Sequence, residues 1–158
     1  MIPVYQFSFT AAIIALLTLF APGAMAQAEN NRATFPANFE QMVMYGDYRR
    51  GTSGELAYAL RETIDIAKAG QPLPPGTRLV LEIYDNGTLT GYFVMEKGID
   101  WGLDFAAEQR TGDWHFQQFG TDKQVRRTAI AARCQSCHQS QAANDYMFTI
   151  DRMRAYVP

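Results

Sequence analysis

The sequence predicts an α+β protein in which helices are set apart from an antiparallel sheet, and three observations carry that expectation. Apolar residues recur at helical spacing within 53–69, the spacing changes to strict alternation within 77–96, and helical spacing returns after 128. No internal repeat or low-complexity segment interrupts this order.

Taken from the start, residues 1–26 contain no charged side chain, Ala11 to Phe20 is apolar apart from Thr18, and Ala24-Met25-Ala26 is a small-x-small pattern. This predicts a cleavable export signal over 1–26 and one domain over 27–158, working outside the cytoplasm. The apolar run is shorter than the roughly 20 residues a membrane span needs. Gln27 to Ala33 reads as a loose polar tail, and a short helix is expected from Ala37 towards Tyr45.

A longer helix is expected over Ser53 to Ala69. Leu56, Leu60, Ile64 and Ala67 share its face, Ser53 or Gly54 caps its start, and Gly70 closes it. Pro72, Pro74 and Pro75 then break regular structure. Leu79, Leu81 and Ile83 alternate, as do Leu89, Phe93 and Met95, and Asn86-Gly87 between the two runs is a strong hairpin signal. A second strand pair is expected from Leu103–Ala107 and Asp113–Phe119. Thr128 to Gln141 reads as helix, and Asp145 to Tyr156 as a short terminal element.

Composition excludes one class of function. With 14 basic and 16 acidic residues the net charge is −2, so nothing balances a phosphate backbone and nucleic-acid binding has no electrostatic footprint. Ten Phe, eight Tyr and two Trp do supply walls for a large flat ligand.

Cys134-Gln135-Ser136-Cys137-His138 has the Cys-x-x-Cys-His spacing of covalent haem attachment. On a helix, residues i, i+3 and i+4 share a face, so two sulfurs reach two edges of one porphyrin while an imidazole meets its iron. The motif points to one haem c per chain, with Cys134, Cys137 and His138 binding the cofactor and His138 holding the iron. Two other readings stay open. A redox dithiol uses Cys-x-x-Cys, but generally at the opening of a helix early in a βαβ unit, whereas this motif lies near the C-terminal end. Zinc would find only three ligands here.

The opposite axial position has few claimants. Met147 and Met153 follow the motif too closely to reach the far face of a porphyrin, and Met42, Met44 and Met95 read as core fillers. His115 is the only other histidine; it shares a strand face with Asp113 and Gln117 and reads as a surface residue. An open iron face is therefore expected. Asp104 and Glu108 are candidate proton-handling carboxylates, against the plainer reading of exposed charges. Arg126, Arg127 and Arg133 are candidates to pair with a haem propionate, against a basic helix face. Leu79, Leu81 and Ile83 read equally as cofactor-pocket wall or sheet core. No catalytic residue is assigned.

Nearly the whole of 27–158 resembles the cytochrome P-460 family, which includes the β-rich cytochromes c prime-beta. The resemblance rests on Phe35-Pro36, Gly70-Gln71-Pro72-Leu73-Pro74, Gly76-Thr77, the run Leu79 to Tyr84 and Phe93-Val94-Met95-Glu96-Lys97. It continues through Trp101-Gly102, Gly112-Asp113-Trp114, the haem motif and Asp145-Tyr146-Met147-Phe148-Thr149. It implies an antiparallel β-sheet with flanking helices and a C-terminal haem-attachment helix, a five-coordinate haem iron, a homodimer and a periplasmic address.

Some members oxidise hydroxylamine with a haem cross-linked by a lysine; others bind NO or CO. The cross-linking position aligns with the Leu79–Ile83 run, at Leu81, whereas the three lysines are Lys68, Lys97 and Lys123. Of these, Lys97 lies just past the second strand and is the one cross-link candidate, otherwise a solvated charge. The function expected is a periplasmic monohaem c-type cytochrome that binds a small diatomic or nitrogen oxide. The alternatives are an oxidoreductase acting on hydroxylamine or peroxide, and a six-coordinate cytochrome exchanging electrons with a redox partner protein.

Overall fold

The computed structural model describes residues 31–126 and 130–158. The expected export signal lies outside the described residues, as do 27–30, Arg127, Thr128 and Ala129. Five strands, β1 (Val43–Asp47), β2 (Gly54–Ala59), β3 (Arg78–Asp85), β4 (Thr88–Lys97) and β5 (Trp114–Phe119), pair in chain order as an antiparallel meander. The helices are α1 (Arg61–Lys68), α2 (Ala131–His138) and α3 (Ile150–Arg154). The α+β expectation is met. Among the described residues, no helix is long and apolar enough to cross a membrane.

The Asn-Gly hairpin forms as predicted. Asp85 faces Thr88, and Asn86 and Gly87 both take positive φ (49° and 77°), the backbone a two-residue turn needs to match strand twist. Gly70 also ends a helix as expected, although that helix is shorter. At φ 69° it donates to Ala67 O while Gln71 donates to Ile66 O, the paired bonds that satisfy a helix's last carbonyls.

The expected helix over 53–69 is instead strand β2 followed by α1, broken at Leu60 in an extended conformation (φ −65°, ψ 150°). Read at period 2, the same residues put Glu55, Ala57 and Ala59 on one face and Leu56, Tyr58 and Leu60 on the other. Pairing decides between the two patterns. β2 lies between β1 and β3, so its backbone groups are satisfied on both edges, and a helix there would leave β3 with an open edge. The expected helix from Ala37 towards Tyr45 reduces to a 3-10 turn at Phe39–Gln41 leading into β1.

The expected pairing of Leu103–Ala107 with Asp113–Phe119 does not form. Trp101–Asp104 and Ala107–Gln109 are 3-10 turns, and β5 pairs with β4. Asp113 Oδ1 accepts from Gly102 N at 3.0 Å, and a side chain at Gly102 would sit 2.3 Å from Gly112 O, so this loop folds onto the start of β5. Beyond α2 a 3-10 stretch covers Gln139–Asn144, and the terminal element is α3.

The sheet buries both faces. On one, Tyr45, Ala57, Ala59, Leu79, Met95, Trp114 and Phe116 pack with Ile64 and Ala67 of α1, Ile150 and Met153 of α3, and Met147. On the other, Val80, Tyr92, Val94 and Phe119 pack with Phe35, Phe39 and Met42; the Phe35 ring meets Tyr92 and Phe119 edge-on and the Phe39 ring meets Tyr92. Asn31 to Ala33 are thus part of the fold and no loose tail. Asn31 Nδ2 donates to Phe116 O and Gln117 Oε1, and Arg32 N donates to His115 Nδ1 at 3.1 Å.

His115 corrects a sequence expectation, since its ring is 1% exposed. The face it shares with Gln117 is covered there by Arg32 and by Trp101 and Phe105, whose rings lie 4.9 and 4.8 Å from the imidazole. Because Nδ1 accepts from Arg32 N, the proton sits on Nε2, which donates to Trp101 O at 2.8 Å. Burial pushes the His115 pKa down. The unfolded chain therefore takes a proton at its ordinary value, about 6.5, before the folded chain does. Stability is full above that pH and falls as pH drops towards the depressed folded value. In melting curves between pH 7.5 and 5.5, the wild type should lose melting temperature more steeply than His115→Gln; equal slopes would refute this.

Candidate cofactor site

An apolar cavity of about 370 Å³ lies between the sheet and the C-terminal segment. Leu79 and Leu81 of β3, Phe93 and Met95 of β4 and Phe116 of β5 form one wall, with Tyr45 of β1 beside them. Cys134 and His138 of α2, then Met147, Phe148 and Thr149, form another. Of the three motif residues, the structure brings Cys134 and His138 to the cavity; Cys137, one turn on, is exposed.

His138 is held on three sides. Its Nδ1 donates to Tyr146 O at 2.6 Å, and its ring lies 4.5 Å from the Phe116 ring and 5.1 Å from that of Phe148, centre to centre. With Nδ1 committed, Nε2 keeps its lone pair free, which is the tautomer a metal-ligating imidazole requires. Burial pushes the His138 pKa down and so favours the neutral ring.

Both cysteines are free thiols, and burial pushes the Cys134 pKa up, with the nearby Cys137 adding to the shift. A redox dithiol needs the opposite, a thiol pKa brought down towards neutrality. Among the described residues, no three His, Cys, Asp or Glu side chains converge as metal ligands, which removes the support for zinc. A neutral imidazole, an unpaired thiol four residues before it and a largely apolar cavity fit an iron porphyrin bonded to the chain.

Several sequence candidates lie elsewhere. Asp104 is 2.7 Å from Arg32 and 3.7 Å from His115, on the opposite side of the sheet from the cavity, and Glu108 is exposed. Neither is a lining residue. Arg126 lies beside Gln118 and Arg133 is exposed, so neither lines the cavity, and Arg127 lies outside the described residues. Arg49 and Arg50 line an open depression of about 660 Å³ that shares Tyr48 and Glu55 with the cavity.

Of the claimed wall, Leu79 and Leu81 line the cavity and Ile83 does not. No lysine lines it either. Lys68 donates to Tyr156 O, Lys123 pairs with Glu40 on the far side of the sheet, and Lys97 pairs with Asp145. Met153 is buried in the core, whereas Met95 and Met147 do reach the cavity.

Sequence reasoning missed the Tyr146 carbonyl, Phe116 and Glu55. Phe116 was legible in principle, since it alternates with His115 and so faces the other way. A backbone carbonyl leaves no trace in composition, and Glu55 was hidden by reading its strand as helix.

An antiparallel meander facing a Cys-x-x-Cys-His helix that carries an imidazole and one thiol into an apolar cavity defines a haem protein of the cytochrome c class. Residues 36–149 match the family model for cytochrome P460, and the chain belongs to that family. Membership makes it a haem-binding cytochrome. Comparison with curated proteins finds no match.

Proposed function

We propose that this chain is a periplasmic monohaem cytochrome that binds a small diatomic ligand such as NO or CO. In this reading Cys134 and Cys137 hold haem c through thioethers, and His138 Nε2 is the single protein ligand to a five-coordinate iron. The observation that carries it is the 2.6 Å bond from His138 Nδ1 to Tyr146 O beside a cavity that no second histidine and no lysine lines. Bound there, the haem supplies an iron with one face open to a small neutral molecule. Leu79, Leu81 and Phe93 would keep water from that face, and Phe116 and Phe148 would fix the imidazole. Export through residues 1–26, a homodimer and a redox partner protein belong to the same reading.

The reduced holoprotein should show a high-spin spectrum that shifts on adding CO, and His115→Gln should leave that spectrum unchanged. A low-spin spectrum indifferent to CO would overturn the proposal and assign the sixth position to Met95 or Met147, as in an electron carrier. A second reading has its own observation: among the described residues Glu55 is the only carboxylate lining the cavity, where an oxidoreductase acting on hydroxylamine or peroxide needs a proton acceptor. Turnover with an artificial electron acceptor, lost in Glu55→Gln, would establish that reading.

A further inference from the structure

The bond from His138 to Tyr146 O depends on an unusual piece of backbone. Asp145 and Tyr146 are consecutive non-glycine residues with φ of 51° and 60°, in the left-handed region that L side chains avoid. Such a pair persists only where its surroundings hold it. Three contacts do so. Tyr146 N donates to Gln141 O at 2.8 Å. The Tyr146 ring packs over Gly112, where even a Cβ would lie 3.1 Å from it. Lys97, at the end of β4, reaches both Asp145 carboxylate oxygens, at 2.8 and 3.1 Å.

Lys97 is itself fixed. Its side chain is 16% exposed, its Nζ lies 5.3 Å from the centre of the fully buried Trp114 ring, and its backbone pairs with Trp114 across the β4–β5 ladder. A cation over an aromatic face, partly withdrawn from water, holds its carboxylate far better than an exposed pair does. The ion pair therefore ties the rigid sheet to the residue just before the carbonyl that His138 uses.

We propose that Lys97 and Asp145 are positioning residues that set the Tyr146 carbonyl against His138 Nδ1 and so tune the donor strength of Nε2. A full bond at Nδ1 makes an imidazole a stronger donor; a loosened one weakens it. This inference rests on the reading of His138 as the iron ligand. Its test is the iron–histidine stretching frequency of the ferrous holoprotein by resonance Raman, with the midpoint potential beside it.

Lys97→Met and Asp145→Asn should each shift the frequency down and the potential up, because a weaker donor favours ferric iron less. Lys97→Arg should keep both near wild type. All three should retain covalently attached haem, since the thioethers do not involve this turn. Wild-type frequency and potential in Asp145→Asn, which preserves the shape of the side chain, would overturn the inference even if Lys97→Met failed to fold. A wild-type chain without haem would instead sink the proposed function.

Discussion

If haem c is attached as proposed, Cys134→Ala combined with Cys137→Ala should abolish haem staining of the denatured chain, an all-or-none effect. The wild type, matured alongside export and haem-ligation machinery, should keep its colour through boiling and a denaturing gel, because thioethers survive the loss of every non-covalent contact. Each single variant should retain one attachment and stain, with an altered absorption band. The double variant should retain the cavity and His138, so any haem it holds in the native state should come off on denaturation. A double variant that still stains would show that attachment lies elsewhere, and an unstained wild type would remove the haem c assignment.

The second large effect is on stability. Trp114 is fully buried where β4, β5 and the C-terminal segment meet, and it packs in one cluster with Ile64, Met147 and Met153. Among the described residues its Nε1 has no hydrogen-bond partner, so truncation strands no polar group through that atom and the loss is one of packing and of the Lys97 contact. Trp114→Ala should cost about 3–5 kcal/mol, the range for emptying a large aromatic site in a core. Denaturant titration of the holoprotein should show a lower midpoint with an unchanged slope. Val125→Ala, at a site 54% exposed, should stay within about 0.5 kcal/mol of wild type. A Trp114 variant as stable as that control would mean the core is not organised around this ring.

Particular residues show what local pattern can and cannot tell. The β3–β4 hairpin was legible because Asn86-Gly87 demands a backbone that few other pairs adopt, and alternation on either side leaves one register that buries Leu79 and Met95. Gly70 was legible as a helix end for the same kind of reason. Glu55 to Leu60 was not, because Leu56, Leu60 and Ile64 satisfy a helical repeat as well as an extended one. The burial of His115 was equally hidden. Alternation told which neighbours share its face, but only Arg32, Trp101 and Phe105, brought over the ring from other parts of the chain, made that site interior.

The sequence by itself determined the haem motif, the hairpin, the α+β class and the want of a lysine at Leu81, since each depends on residue type and short spacing. Tertiary structure alone decided that Asp104 and His115 lie across the sheet from the cavity, that Lys97 pairs with Asp145, and that Tyr146 lends His138 its carbonyl. Local pattern follows from the stereochemistry of a few adjacent residues. Which distant groups meet follows from strand pairing and from which face each element buries, and those are properties of the whole chain.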